Sequence, residues 1–134
     1  AFLLAQLEAS ETVTSTRLDL WTRYHTLLEQ FDNRLGVRRP TIDSLATHNA
    51  HIYYLIAESQ AHRDHLLNHL KTFNIHSVFH YIPLHSSPAG RRYGRASGPM
   101  TVTDRVASHL LRLPLFPDLS RAGVDRVVDA LSQA

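Results

Sequence analysis

His76-Ser77-Val78-Phe79-His80-Tyr81-Ile82-Pro83-Leu84-His85 is the stretch from which the fold is read. Ile75, Ser77, Phe79 and Tyr81 fall on one side and His76, Val78, His80 and Ile82 on the other, the period of a half-buried strand. Pro83 cannot donate to a ladder and stops it. The loop that follows, Ser86 to Arg92 with Gly90, hangs polar groups from the end of a rigid element, which is the layout of a site rim. Upstream, Ala50-His51-Ile52-Tyr53-Tyr54-Leu55-Ile56-Ala57 is nearly continuous in β-branched and aromatic residues and predicts a central strand buried on both faces. Between the two, Ser59 is placed to cap a helix over Gln60–Phe73. Leu66, Leu67, Leu70 and Phe73 form its inward face, and Asn74 takes the left-handed closing position. A β-α-β run of this kind predicts an α/β (α+β) fold, a short sheet covered by helices, with the sense of strand pairing open.

Further outward, residues 1–31 contain no proline or glycine, and Leu18, Trp21, Tyr24, Leu28 and Phe31 recur at helical spacing. One long helix is expected, weakest over Ser10–Thr16, where serine, threonine and Val13 lower helix propensity. Unbroken, it would reach about 45 Å, the length of an element that bridges two bodies. Asp32, Asn33 and Gly36 end it, and Val37–Thr47 reads as a connecting loop. After Pro83 a Gly- and Arg-rich segment to Met100 reads as a long loop with one turn of helix. Thr103 is expected to cap a short helix through His109. Leu110–Leu115 is a short third strand, and Ser120 opens a last helix with Val124, Val127, Val128 and Leu131 inward. The organisation expected is a single domain, 1–134, made of a linking helix over 1–31 and a β-α-β core with terminal helices over 48–134.

Composition narrows the functional classes. The formal net charge is +2, and of the fourteen Lys and Arg residues only Lys71 is a lysine. That excess is too small to demand nucleic acid or an anionic membrane. No cysteine is present, which rules out a disulfide framework or a thiolate metal site and fits a reducing, cytoplasmic setting. No apolar run approaches the roughly 20 residues of a membrane-spanning helix.

His62, His65 and His69 share a helical face, the spacing that invites a metal. They alternate with Arg63, Asp64 and Asn68 opposite the leucine stripe, so a solvated face is the better reading and no metal ligand is assigned. Arg91-Arg92-Tyr93-Gly94-Arg95 could stack on RNA bases or grip an anionic ligand. Without an accompanying basic face, a phosphate-facing or solvated loop is preferred, and a self-contained binding module is kept as the alternative function. Tyr53-Tyr54 and the Trp21–Tyr24 stripe read as core. His80 and His85 flank Pro83 in the rim and are candidates for substrate contact.

The phrases Ala1-Phe2-Leu3-Leu4-Ala5-Gln6-Leu7-Glu8, Asn49-Ala50-His51-Ile52-Tyr53-Tyr54, Val78 to Gly90 and Leu111-Arg112-Leu113-Pro114-Leu115-Phe116 resemble the C-terminal part of the DegT/StrS-type sugar-nucleotide aminotransferases. The resemblance spans essentially the whole chain, and the His-Tyr-x-Pro-Leu-His run is its most specific phrase. It implies the small C-terminal domain of a fold-type-I pyridoxal-phosphate enzyme. Such an enzyme moves an amino group from glutamate to a nucleotide-linked 4-keto-6-deoxy sugar and works as a homodimer. It further implies that the Schiff-base lysine and most cofactor contacts belong to a preceding large domain, so no catalytic or cofactor-binding residue is assigned here. Lys71 reads as a surface residue. By the same resemblance His80 and Tyr81 contact the nucleotide-sugar, followed by His85, and Asn49 and His51 stand at the mouth of the central strand.

Overall fold

The computed structural model describes residues 2–31 and 34–134. Asp32 and Asn33, expected with Gly36 to end the first helix, lie outside the described residues. Gly36 adopts φ +57°, the left-handed region that a side chain resists.

The sheet has four strands in the order β1-β2-β4-β3, where β1 is Val37–Arg38, β2 Tyr53–Ala57, β3 Val78–Phe79 and β4 Leu110–Leu113. Every adjacent pair is antiparallel. The β-α-β run is therefore split. β2 and β3 point the same way without touching, because β4 inserts between them and pairs with both.

Tyr53 stands opposite Leu113 and Leu55 opposite Leu111, and all four are buried. Directly paired residues project to the same side, so this is the face that meets the core. Against it pack α2 (Ser10–Glu29) through Leu20, Tyr24 and Leu28, α3 (Gln60–Thr72) through Leu66 and Leu70, and α6 (Arg121–Leu131). Tyr24 stacks on Tyr53 at 5.1 Å and donates its hydroxyl to the Pro114 carbonyl at 3.0 Å. Burial pushes that hydroxyl's pKa well above its ordinary value, so it remains a donor.

Ser59 and Ser120 cap α3 and α6, their hydroxyls accepting from the N–H groups of His62 at 3.1 Å and Gly123 at 3.0 Å. Asn74 closes α3 at φ +55°. The valine stripe of α6 with Leu131 is buried as its spacing predicts. Arg23 grips Asp125 through Nε at 2.7 Å and through its terminal amine at 2.6 Å, and Arg121 grips Asp19. Each partner is four residues further along both helices, so α2 and α6 run in the same direction.

Several boundaries differ from expectation for physical reasons. The central strand begins at Tyr53 and alternates, with Tyr54 and Ile56 only half-buried, instead of being buried on both faces. Among the described residues, the helices that share the core pack on one face. The stretch Ile75–Ile82 contributes only Val78–Phe79 to the sheet, paired with Arg112 and Leu111, and β4 begins at Leu110 and has no strand residue opposite Tyr81. Residues 37–47 are not all loop, since Val37 and Arg38 pair with Ala57 and Ile56.

The first helix is interrupted at Ala9, just ahead of Ser10–Thr16, although Val13 still donates to the Ala9 carbonyl at 3.0 Å. That leaves α1 as Phe2–Glu8. The segment after Pro83 holds a 3-10 turn at Leu84–Ser86 and a helix α4 over Pro88–Tyr93, whose cap is Ser87. Helix α5 spans Thr101–His109, so Thr103 lies inside it and does not cap it. The third strand stops at Leu113, before Pro114.

Replacing Leu111, fully buried on β4, with Ala is expected to lower unfolding stability by about 2–5 kcal/mol in a chemical denaturation series. Phe79→Ala should cost less than half of that, because the Phe79 ring is 49% exposed.

Candidate functional site

The sheet face turned away from the helices carries a row across three strands, with Arg112 of β4 opposite Tyr54 of β2 on one side and Val78 of β3 on the other. All three side chains are half-buried. Just past β3, His80 and Tyr81 lie beside the row. The Arg112 guanidinium lies 5.3 Å from the Tyr81 ring centroid, and the His80 and Tyr81 rings meet edge to face at 5.1 Å. Tyr81 is 70% exposed. Its ring thus shields one side of the guanidinium and faces solvent with the other. His80 Nδ1 and Arg112 Nε are both shielded from solvent and have no hydrogen-bond partner among the described residues.

Burial is the main cause that lowers the His80 pKa from its ordinary 6.5, and the charges of Arg112 and His51 lower it further. His80 is therefore neutral at physiological pH, offering one donor and one acceptor beside a permanent cation. An Arg fork flanked by a neutral imidazole and a phenol suits a phosphate or another anion bearing hydroxyl groups.

Of the five residues proposed from sequence, His80 and Tyr81 are brought together, and His51, exposed ahead of β2, lies within electrostatic reach of His80. The Asn49 side-chain oxygen accepts the His51 N–H at 3.1 Å, so this oxygen shapes the turn that presents His51. His85 is engaged elsewhere. Its Nε2 lies 2.8 Å from Asp104 Oδ1, and it lines a cleft of about 600 Å³ with Leu84, Arg91 and Arg95. Arg112 was missed in the sequence, although a lone arginine in the run Leu110-Leu111-Arg112-Leu113 breaks the apolar pattern at one strand position and signals the opposite face.

The remaining candidates take other roles. His69 donates from Nε2 to the Ala130 carbonyl at 2.8 Å, and its ring stacks with that of His65. Among the described residues no three His, Cys, Asp or Glu side chains converge as metal ligands. Arg91 and Arg92 are exposed on α4, with Arg92 lying 5.1 Å over the Tyr93 ring. Lys71 is exposed in the last turn of α3. No helix among the described residues is long and apolar enough to cross a membrane.

The sequence profile of the DegT/DnrJ/EryC1/StrS aminotransferase family matches residues 1–132. The chain belongs to this family. The erythromycin biosynthesis sensory transduction protein EryC1 of Saccharopolyspora erythraea is 33% identical over 135 residues, covering 96% of this chain and 36% of that protein. The dTDP-3-amino-3,4,6-trideoxy-alpha-D-glucose transaminase of Micromonospora megalomicea subsp. nigra is 27% identical, covering 88% of this chain and 33% of that one. Among solved structures, S. venezuelae DesV in complex with a ketimine intermediate superposes with a TM-score of 0.86 at 26% identity, over 98% of this chain and 34% of DesV. The chain thus spans about a third of the length of the DegT-family relatives it matches. The mixed fold with a small antiparallel sheet is the one found in that third of the aminotransferase structures.

Because the folded-state pKa of His80 is depressed, the unfolded chain binds its proton first as pH falls, and stability present above about 6.5 is lost as pH drops through the folded value. Thermal unfolding between pH 7.5 and 5 should therefore show a loss that His80→Gln reduces. An unchanged pH profile in the variant would refute the assignment.

Proposed function

We propose that residues 1–134 form the small, substrate-closing domain of a longer pyridoxal-phosphate-dependent aminotransferase, with 1–31 as the helix linking it to a large N-terminal domain and 48–134 as its body. The whole protein transfers an amino group from glutamate to a nucleotide-linked 4-keto-6-deoxy sugar and acts as a homodimer in the cytoplasm. Within the family, the Val78–Gly90 and Leu111–Phe116 phrases favour dTDP-4-oxo-6-deoxy-D-glucose as the keto sugar. That is the substrate of the enzyme type serving enterobacterial common antigen, in lipopolysaccharide-related biosynthesis.

The residues present do not fit an anchor for the cofactor. A Schiff-base amine needs a pocket that removes its proton, whereas Lys71, the chain's one lysine, is exposed on α3 with Thr72 and Phe73 beside it. The cofactor, which supplies the electron sink for amino transfer, is assigned to the large domain. What this chain contributes is recognition and exclusion of water. The observation that carries the reading is the Arg112 fork framed by Tyr81 and neutral His80 on the sheet face without helices. In this role Arg112 takes a phosphate oxygen of the nucleotide-sugar, His80 a phosphate oxygen or a sugar hydroxyl, and Tyr81 packs on the sugar. His85, Asn49 and His51 form the outer rim.

In the longer protein, Arg112→Ala should raise KM for the keto sugar about tenfold or more, the size of one charge-assisted contact, with a smaller change in kcat and none in KM for glutamate. Equal KM values for variant and parent would overturn the assignment. The 134-residue chain mixed with pyridoxal phosphate and borohydride should acquire no stoichiometric label at Lys71.

A further inference from the structure

Arg63 interrupts the apolar stripe of α3. It shares a helical face with Leu66 and Leu70, and at 8% exposure it is the only charged or polar residue buried among the described residues. A buried guanidinium is costly unless its hydrogen bonds are made. Here Nε is shielded from solvent and has no hydrogen-bond partner among the described residues, although it lies 2.7 Å from Asp64 Oδ1. That contact is one of charge, without the direction of a hydrogen bond. An aliphatic side chain would fill the same place in the stripe without the desolvation cost.

What the guanidinium meets is the end of β3. Phe79 pairs with buried Leu111, so its ring projects to the helix side of the sheet, where the Arg63 guanidinium lies 5.8 Å from the ring centroid. The two residues line a cleft of about 290 Å³ with Tyr81, Ile82 and Pro83. Asp104 is also on its wall, but that carboxylate is engaged by His85 at 2.8 Å.

Residues 80–82 have no strand beside them. They run between two anchors, Phe79, the last residue of the ladder, and Pro83, whose carbonyl accepts from the N–H groups of Ser86 and Ser87 at 3.1 and 3.0 Å. Arg63 acts at the first of these. Tyr81, two residues beyond it, borders both arginines, lining the Arg63 cleft while its ring lies 5.3 Å from the Arg112 guanidinium.

We propose that Arg63 is a positioning residue. By holding the Phe79 ring against α3 it fixes where the chain leaves the sheet, and so sets Tyr81 beside Arg112 in the arrangement that binds substrate. The proposal rests on the reading of Tyr81 and Arg112 as nucleotide-sugar contacts.

Two measurements test it. In the 134-residue chain, the Tyr81 ring should shift the Arg112 side-chain proton signals upfield in NMR spectra, with Tyr81→Ala giving the unstacked values. Arg63→Met, which keeps an unbranched apolar stem and removes the cation, should move those signals toward the Tyr81→Ala values while the Leu111 methyl signals stay in place. Phe79→Leu removes the ring that Arg63 covers and should produce the same movement, so the link is read even where Arg63→Met does not fold. In the longer protein, Arg63→Met should raise KM for the keto sugar about threefold, with a smaller change in kcat and none in KM for glutamate. In a Tyr81→Ala background the same change should have no further effect on KM, whereas a merely structural role would act with or without Tyr81. Arg112 signals at parent values in both Arg63→Met and Phe79→Leu would overturn the proposal. So would an unchanged KM in Arg63→Met where Arg112→Ala raises it. An unchanged KM in both arginine variants would instead remove the substrate-contact reading, and the proposal with it.

Discussion

The antiparallel pairing of Tyr53–Ile56 with Leu110–Leu113 is the contact on which the other placements depend. It joins segments more than fifty residues apart, so its loop-closure cost is met only when Leu55, Leu111, Leu113 and Tyr53 enter one core together. Once β4 lies beside β2, its far edge is free, and there Val78–Phe79 pairs. The helices are then confined to the face those buried side chains define. A ladder of four residue pairs would be marginal alone. It persists because α2, α3 and α6 bury its apolar face from three directions.

That one-sided covering leaves chemistry on the other face. Arg112 can sit at the centre of a sheet only because its side of β4 meets solvent, Tyr54, Val78 and Tyr81 instead of leucines. A guanidinium on the core side would carry a desolvation cost that no nearby carboxylate offsets. The neutral state of His80 has the same origin, since it is half-buried beside a fixed cation. The ladder ends at Phe79, because β4 begins at Leu110 and offers no strand residue opposite Tyr81, and His80 and Tyr81 lie over the row instead of continuing β3.

The short β1 strand has a comparable effect at the opposite edge. A longer partner for β2 would fill the gap in which Trp21, His48 and Arg38 meet. Both concave regions therefore arise where strand pairing stops, and His80, Tyr81 and His48 come from the segments just outside the strands. His85 shows the contrast. Beyond the sheet, on the 3-10 turn, its ring is taken by Asp104 and does not join the row.

Much was legible in the residues alone. The caps Ser59 and Ser120, the left-handed Asn74, the valine stripe of α6 and the leucines of α3 depend on neighbours within a turn, and local rules are enough for them. The family resemblance rests on short phrases and was equally readable. Strand lengths, the order β1-β2-β4-β3, the half-exposed state of Tyr54 and the position of Arg112 were not. Period-two alternation states that a strand has two faces without stating which face is covered, and which edges pair depends on residues far away in the chain. The sequence by itself determined α3, α6 and their caps, and the family. Only the tertiary structure decided which strand stands in the middle, and hence which polar side chains converge, because that choice is made by long-range burial and not by any local preference.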